Sequence, residues 1–257
     1  MTIAVVTGAS SGMGREFVKQ ISRNYKGIQE IWVAARRKER LDALKEEINK
    51  PLRIFAGDIT EDGIMENLQT TLLRVRPKVK LLVNAAGFGK VGVFNTIERE
   101  DQLGMVDLNC RALVRMTDLL IPYMIEGGHI IQMASAAAFM PQAGFSLYAA
   151  TKAFVLSYSR SLGRELAPYG VSVTSVCPGP VDTEFFDRAS SNQEAAPFKK
   201  IFMAKPEKVV AKAIKDAATG RDMSIYGFFM KAFYIVTKLI PQGLLIRIAG
   251  RFTKGAV

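Results

Sequence analysis

Histidine is almost missing from this chain. His129 stands alone among 257 residues, directly ahead of the apolar run "IIQMA". A metal site built on several imidazoles is excluded, and a Ser-His-Asp triad would have to rest on that single ring. Cysteine is nearly as scarce: Cys110 and Cys177 lie in apolar contexts without metal-type spacing. They read as buried free thiols in a reducing compartment, with no metal. Only one Trp is present for base stacking, the basic residues are scattered and no finger spacing occurs. These features argue against nucleic acid as a partner. Acidic residues are in deficit, 24 Asp+Glu against 35 Lys+Arg, for a formal net charge of +11. The excess favours anionic partners such as a phosphorylated cofactor, an acidic substrate or a membrane surface. "MTIAVVTG" runs straight into a β-like segment and glycines, so no signal peptide is read and a cytoplasmic protein is expected.

Hydrophobic residues, by contrast, make up 49% of the chain, enough to bury a sizeable core. Short apolar or β-branched runs alternate with longer amphipathic ones. Strands are expected at 3–6, 30–35, 52–57, 80–85, 129–134 and 171–177, with a short last one at "MSIYG". Helices are expected near 13–24, 38–49, 61–75, 102–126, 146–167 and 206–219. Strands buried on both faces and separated by helices imply an α/β fold, a doubly wound parallel sheet of about seven strands with helices on both faces. No repeat and no Gly-, Pro- or Ser-rich linker divides residues 1–257, so one domain is expected. Residues 180–205 break the rhythm with small, polar and aromatic residues and read as a substrate loop or lid.

"TGASSGMGRE" (7–16) follows the first strand and opens the first helix. Gly8, Gly12 and Gly14 permit a tight turn and close approach of the backbone to a pyrophosphate at a helix N-terminus, with Ser10, Ser11 and Met13 in the same cradle. This is a variant of the dinucleotide fingerprint of a Rossmann fold. It is not a P-loop, because the Gly-Lys-Ser/Thr ending is missing. The second strand ends in "WVAARRKERL", with Ala35 where a ribose-binding acid would stand and Arg36 and Arg37 after it. An absent carboxylate and a guanidinium pair suit a 2′-phosphate, so NADP(H) is the expected cofactor.

Further pieces follow in order: "GDIT" (57–60), "NAAG" (84–87), "DLNC" (107–110), "QMASAAA" (132–138), "YAATK" (148–152) and "PGPVDT" (178–183). With these the chain resembles the short-chain dehydrogenase/reductase family over nearly all of residues 3–220. The resemblance implies a catalytic tetrad of Asn109, Ser135, Tyr148 and Lys152. It also implies that Asp58 and Ile59 border an adenine, and that Asn84, Ala85 and Gly87 line the adenosine side. Pro178, Gly179, Val181 and Thr183 would flank a nicotinamide, with Thr183 bonding its carboxamide, and Lys152 would hold the nicotinamide ribose. Departures are small: "MASAAA" where two serines and a glycine are frequent, and "NCRA" after the asparagine.

The chemistry suits these residue types. A free tyrosine, of pKa about 10, holds its proton too tightly to act as a base at neutral pH. Lys152, one helical turn from Tyr148, is positioned to favour the phenolate and lower that pKa. Ser135 can donate to a substrate oxygen, and Asn109 would position a water in a proton relay behind Lys152. The reaction implied is interconversion of a secondary alcohol and a ketone. A non-catalytic dinucleotide-binding regulator is the alternative from another class, and a complete tetrad speaks against it.

Residues 223–257 form an apolar, basic extension. In "MSIYGFFMKAFYIVTKLIPQGLLIRIAGRF" the cations Lys231, Lys238 and Arg247 and the break "PQG" exclude a simple spanning helix. Two short amphipathic helices are expected. They could close the core or a subunit interface, form a greasy lid over a bulky substrate, or attach peripherally to anionic lipid. A bulky hydrophobic carbonyl or alcohol is the expected substrate, a hydroxysteroid or bile acid, with 3-oxoacyl or other lipid and small carbonyl compounds as alternatives. The resemblance suggests a homodimer or homotetramer formed through the helices near 102–126 and 146–167.

Overall fold

The computed structural model describes residues 1–93, 95–189 and 203–252. Seven strands form one sheet: β1 (Thr2–Thr7), β2 (Glu30–Ala35), β3 (Leu52–Ala56), β4 (Lys78–Asn84), β5 (Met124–Met133), β6 (Ser172–Val176) and β7 (Met223–Ser224). Their order is β3-β2-β1-β4-β5-β6-β7, and every adjacent pair is parallel. The order reverses between β1 and β4, which opens a crevice at the carboxyl ends of those strands.

The sheet is covered on both faces because its strands are apolar in both phases of their alternation. Ala4 and Val6 of β1, with Ile31, Val33, Leu81, Val83 and Ile131, face one side. There they meet α1 (Gly12–Asn24), through Phe17, Val18 and Ile21, and α2 (Lys38–Glu46), through Leu41 and Leu44. Ile3, Val5, Trp32, Leu82, Ile130 and Val173 face the other side. They meet α3 (Asp62–Val75) and then a helix in three parts: α4 (Arg99–Val106), a π-helical turn (Asp107–Ala112) and α5 (Leu113–Leu120). α6 (Ser146–Leu166) packs on the same side.

Four elements complete the order: α7 (Phe185–Ala189), α8 (Pro206–Ala218), α9 (Phe228–Leu239) and α10 (Gln242–Phe252). α8 joins the α1 side through Val209, Val210, Ala213 and Ala217.

Two expectations need correction or restriction, and a third holds. The helix expected to reach residue 126 ends at Leu120, and Pro122 turns the chain through a 3₁₀ segment, Ile121–Tyr123. Met124 then pairs with Val79, so 124–126 belong to a strand. Of the loop 180–205, residues 190–202 lie outside the described residues. Its two ends meet where Val181 bridges Ala204 and Asp182 N donates to Ala204 O at 3.0 Å. The tail does fold as two short helices, which break at Ile240–Pro241.

Candidate active site

The crevice holds a groove in two continuous halves that share Met13, Ala85, Gly87, Thr183 and Phe185. The glycine turn forms the floor of the first half. Gly8 has φ +68°, which a side chain would strain, and a Cβ on Gly14 would stand 2.3 Å from Gly8 O. The turn therefore packs backbone on backbone and leads directly into α1, whose N-terminal N–H groups lie at the groove. Ser10, Ser11, Gly12, Arg36, Arg37, Asp58 and Ile59 line the same half. Asp58 Oδ1 accepts from Thr60 N at 3.0 Å and from Thr60 Oγ1 at 2.8 Å, while Arg36 Nη1 lies 3.6 Å from Asp58 Oδ2.

Arg37 spans the turn. Its Nη2 donates to Ser11 Oγ at 2.7 Å, and its Nη1 donates to Glu184 Oε2 at 2.9 Å. Arg40 donates to the other oxygen of Glu184. Arg40 and Arg37 together hold the Glu184 carboxyl below the usual carboxylate range. A cluster that already grips a carboxylate this way has the donor geometry for a phosphate.

The second half contains the residues expected to do chemistry. Ser135, Tyr148 and Lys152 line it, together with Pro178, Gly179 and Val181. Tyr148 and Lys152 sit one turn apart on α6, both buried, with the Lys152 Nζ 5.7 Å from the centroid of the Tyr148 ring. Ser135 stands just beyond β5. Its Oγ accepts from Ala137 N at 3.1 Å, capping the 3₁₀ turn Ala136–Phe139, and it also bonds to Tyr148. The ordinary capping role and the contact with the phenol coexist in one hydroxyl.

Ionisation here differs from the expectation. Lys152 Nζ donates to Met133 O at 2.7 Å. Burial pushes Tyr148 up to about 12, opposed by the Ser135 bond, and burial pushes Lys152 down to about 8. Desolvation is the largest influence on both groups, and its net effect is to raise the tyrosine and lower the lysine.

Asn109 lies on the π-helical turn, fully buried behind the groove. Such turns place a side chain out of the ordinary helical register, often at functional sites. Asn109 Oδ1 accepts from Phe88 N at 3.0 Å, and its Nδ2 donates to Phe88 O at 2.9 Å and Thr151 Oγ1 at 3.1 Å. It braces the loop after β4 from both sides. Gly87 abuts both polar side chains: a Cβ there would lie 2.8 Å from Asn109 Oδ1 and 3.3 Å from Lys152 Nζ.

One expected cofactor residue is elsewhere. The side chain of Asn84 does not line the groove; its Nδ2 donates to Thr117 Oγ1 and Gln132 Oε1, both at 3.0 Å. Alternation along β4 turns Asn84 toward α5, on the side opposite Val83. The lone histidine is also remote. His129, midway along β5, pairs across the sheet with Ser172 at the start of β6, with its Nδ1 2.7 Å from Ser172 Oγ. Burial, then the Lys80 charge, pushes that imidazole down.

Residues 2–194 match a sequence model of the family described as short chain dehydrogenase. The chain belongs to the short-chain dehydrogenase family. It is 36% identical over 189 residues to the NADP-dependent 3-hydroxy acid dehydrogenase YdfG of Escherichia coli strain K12, covering 71% of this chain and 74% of that protein. A short-chain dehydrogenase from Sphingobium yanoikuyae, solved in complex with NADPH, superposes with a TM-score of 0.79 at 28% identity, covering 95% of each chain. The bulky-bulky ketone specific alcohol dehydrogenase of Comamonas testosteroni gives a TM-score of 0.73 at 25% identity, covering 94% of this chain and 96% of that one.

Several residues of this short-chain dehydrogenase site escaped sequence reasoning. Arg40 and Glu184 form the ion cluster at the first half, and their partnership spans 144 positions, beyond any local pattern. In the second half Phe145 stacks on Tyr148 at 4.2 Å between centroids, and Phe185 tilts against it at 5.4 Å. Met230 and Phe233 reach the groove from α9. Phe145 lies three residues before Tyr148, a spacing that could have flagged it.

Proposed function

We propose that this chain is an NADP(H)-dependent oxidoreductase interconverting a secondary alcohol and a ketone on a bulky apolar substrate, such as a hydroxysteroid or bile acid. The observation that carries this reading is the meeting of Ser135, Tyr148 and Lys152 in a groove continuous with the glycine turn. Residues at the turn fit a phosphorylated dinucleotide: the backbone of Gly8–Gly14 is open to a pyrophosphate, and Arg36, Arg37 and Arg40 supply charge for a 2′-phosphate. When bound, the nicotinamide supplies or accepts the hydride. Tyr148 delivers the proton to the carbonyl oxygen in reduction, the direction in which its raised pKa keeps the phenol protonated. Ser135 donates to the same oxygen and keeps it against the phenol. Lys152, held at the end of β5, is available to the ribose side of the nucleotide.

Substrate size and polarity are argued from the second half. Its cavity volume is about 420 Å³, and Phe145, Phe185, Phe186, Met230 and Phe233 contribute its apolar surface. Lys152 is its only charged lining residue among those described, and on this reading its remaining donors serve the nucleotide ribose. A small hydroxy acid would find no free cation for its carboxylate, which favours the apolar substrate over the acid named for the E. coli relative.

NADPH oxidation measured against steroid, bile-acid, acyl, small carbonyl and sugar substrates tests the reading. The expected preference is for the bulky apolar ketones, and a preference for small polar sugars would overturn it. For the homo-oligomer, exposed Leu103 and Val106 on α4 and Phe154 on α6 supply apolar contact.

A further inference from the structure

The outer face of the α9–α10 pair is apolar where a surface helix is ordinarily polar. Phe228, Phe229, Ile235, Val236 and Leu239 are exposed on α9, as are Leu244 and Ile246 on α10. Phe228 and Leu239 keep 78% and 77% of their accessible surface. The inner face is already used. Phe233 and Tyr234 pack on Phe139 with centroids 6.1 and 4.9 Å apart, and Thr237 and Leu245 are buried. The pair is therefore fixed to the body while a contiguous apolar face points outward, which marks a contact surface.

Charge selects the partner. From residue 223 to 257 the sequence carries Lys231, Lys238, Arg247, Arg251 and Lys254 and no Asp or Glu. Lys231, Lys238 and Arg247 are exposed, and among the described residues none of the three enters an ion pair. Two copies meeting through this face about a twofold axis would set cations against cations, which disfavours a second copy. An anionic bilayer satisfies both features, because its acyl boundary takes the apolar side chains and its phosphates take the cations. α9 and α10 have 12 and 11 residues, too short to cross a membrane but suited to lying in its surface.

We propose that this face docks the protein on an anionic lipid bilayer, with both helices in the headgroup plane. Met230 and Phe233 of α9 also line the substrate half of the groove, so docking brings that half beside the lipid. An apolar substrate would then reach the groove from the bilayer. That delivery step rests on the proposed function; the docking does not.

Sedimentation of the full chain with vesicles of phosphatidylcholine, with and without phosphatidylserine, tests the proposal at low and high salt. The protein is expected to sediment with the phosphatidylserine vesicles and to be released by salt. Lys231→Glu with Lys238→Glu lowers partitioning about tenfold or more. Phe228→Ser with Leu239→Ser lowers it by a similar factor at unchanged charge. All four side chains lie outside the groove, and thermal unfolding followed by circular dichroism shows whether each variant folds. Tyr148→Phe is expected to bind vesicles as the wild type does, which separates a failure of docking from a failure of the catalytic assignment. Wild-type protein that stays in the supernatant with phosphatidylserine vesicles overturns the proposal. A smaller oligomer for Phe228→Ser with Leu239→Ser in light scattering also overturns it, because the face would then belong to a second copy.

Discussion

Lys152 donates to the carbonyl of Met133 at 2.7 Å, while its nitrogen stands 5.7 Å from the centroid of the Tyr148 ring. The lysine is moored to the end of β5 and ties α6 to the strand that leads into Ser135. The phenol is held separately, by its stack on Phe145 and its bond to Ser135. Tyr148→Phe therefore removes one hydroxyl and leaves the surrounding packing in place. Turnover is expected to fall ~10²–10⁴-fold with NADPH affinity unchanged. NADPH oxidation compared with a fluorescence titration of NADPH measures both, and near-normal turnover would remove Tyr148 from the mechanism.

The same pair makes stability depend on pH. Burial pushes Lys152 down to about 8. A lysine with a folded pKa below its unfolded value of about 10.4 binds protons more weakly in the folded chain, so its charge opposes folding. That cost is complete at neutral pH and fades as pH rises through the folded value toward the unfolded one. Tyr148, pushed up to about 12, acts later and in the opposite sense. Above about pH 10 the unfolded chain loses the phenol proton first, and stability falls. Between about pH 7 and 9.5 the wild type is expected to gain about 2 kcal/mol through Lys152, a gain absent from Lys152→Met. Urea denaturation of both proteins at the two pH values measures it; parallel curves would show that burial does not shift the amine.

The fold was readable because each central strand is an unbroken apolar run, and the helices between them carry one buried stripe. The meeting of Ser135, Tyr148 and Lys152 was readable because their motifs place them at a strand end and on one helix face. Directions of side chains were less accessible. The "NAAG" motif puts Asn84 on the adenosine side, whereas alternation with the core residue Val83 points it toward Thr117. The end of the helix before β5 was missed although Pro122 marks it. The sign of the shift at Tyr148 depends on how deeply the pair is buried, which spacing does not encode. The bonds from Arg37 and Arg40 to Glu184 join distant segments, so no local pattern announces them.

Asn109 offers a test of bracing against relay. Both backbone groups of Phe88 depend on it, with bonds of 3.0 and 2.9 Å. Asn109→Ala leaves a part-buried N–H and a part-buried carbonyl of Phe88 without these partners, at a cost of about 1–3 kcal/mol. The expected result is a lower midpoint in urea denaturation together with weaker NADPH binding, because Phe88 and Gly87 line the first half of the groove. If turnover falls while stability and NADPH affinity stay at wild-type values, bracing is refuted and a proton relay is favoured.

Glu184 bears on the choice between NADPH and NADH. Its carboxylate lies across the groove on Arg37 and Arg40, the guanidiniums available to a 2′-phosphate. A phosphate entering there competes with that carboxylate for the same donors, whereas NADH makes no such demand. Glu184→Gln keeps the size of the side chain and removes the competing charge. Any effect of loosening the start of α7 applies to both nucleotides, so the ratio of their KM values isolates the electrostatic part. That ratio, NADH over NADPH, is expected to rise roughly two- to fivefold, because an exposed ion pair contributes up to about 1 kcal/mol. The rise should shrink at high salt, as screening weakens charges at the groove mouth. An unchanged or smaller ratio at low salt would mean that Arg37 and Arg40 serve to hold α7 and do not read the phosphate.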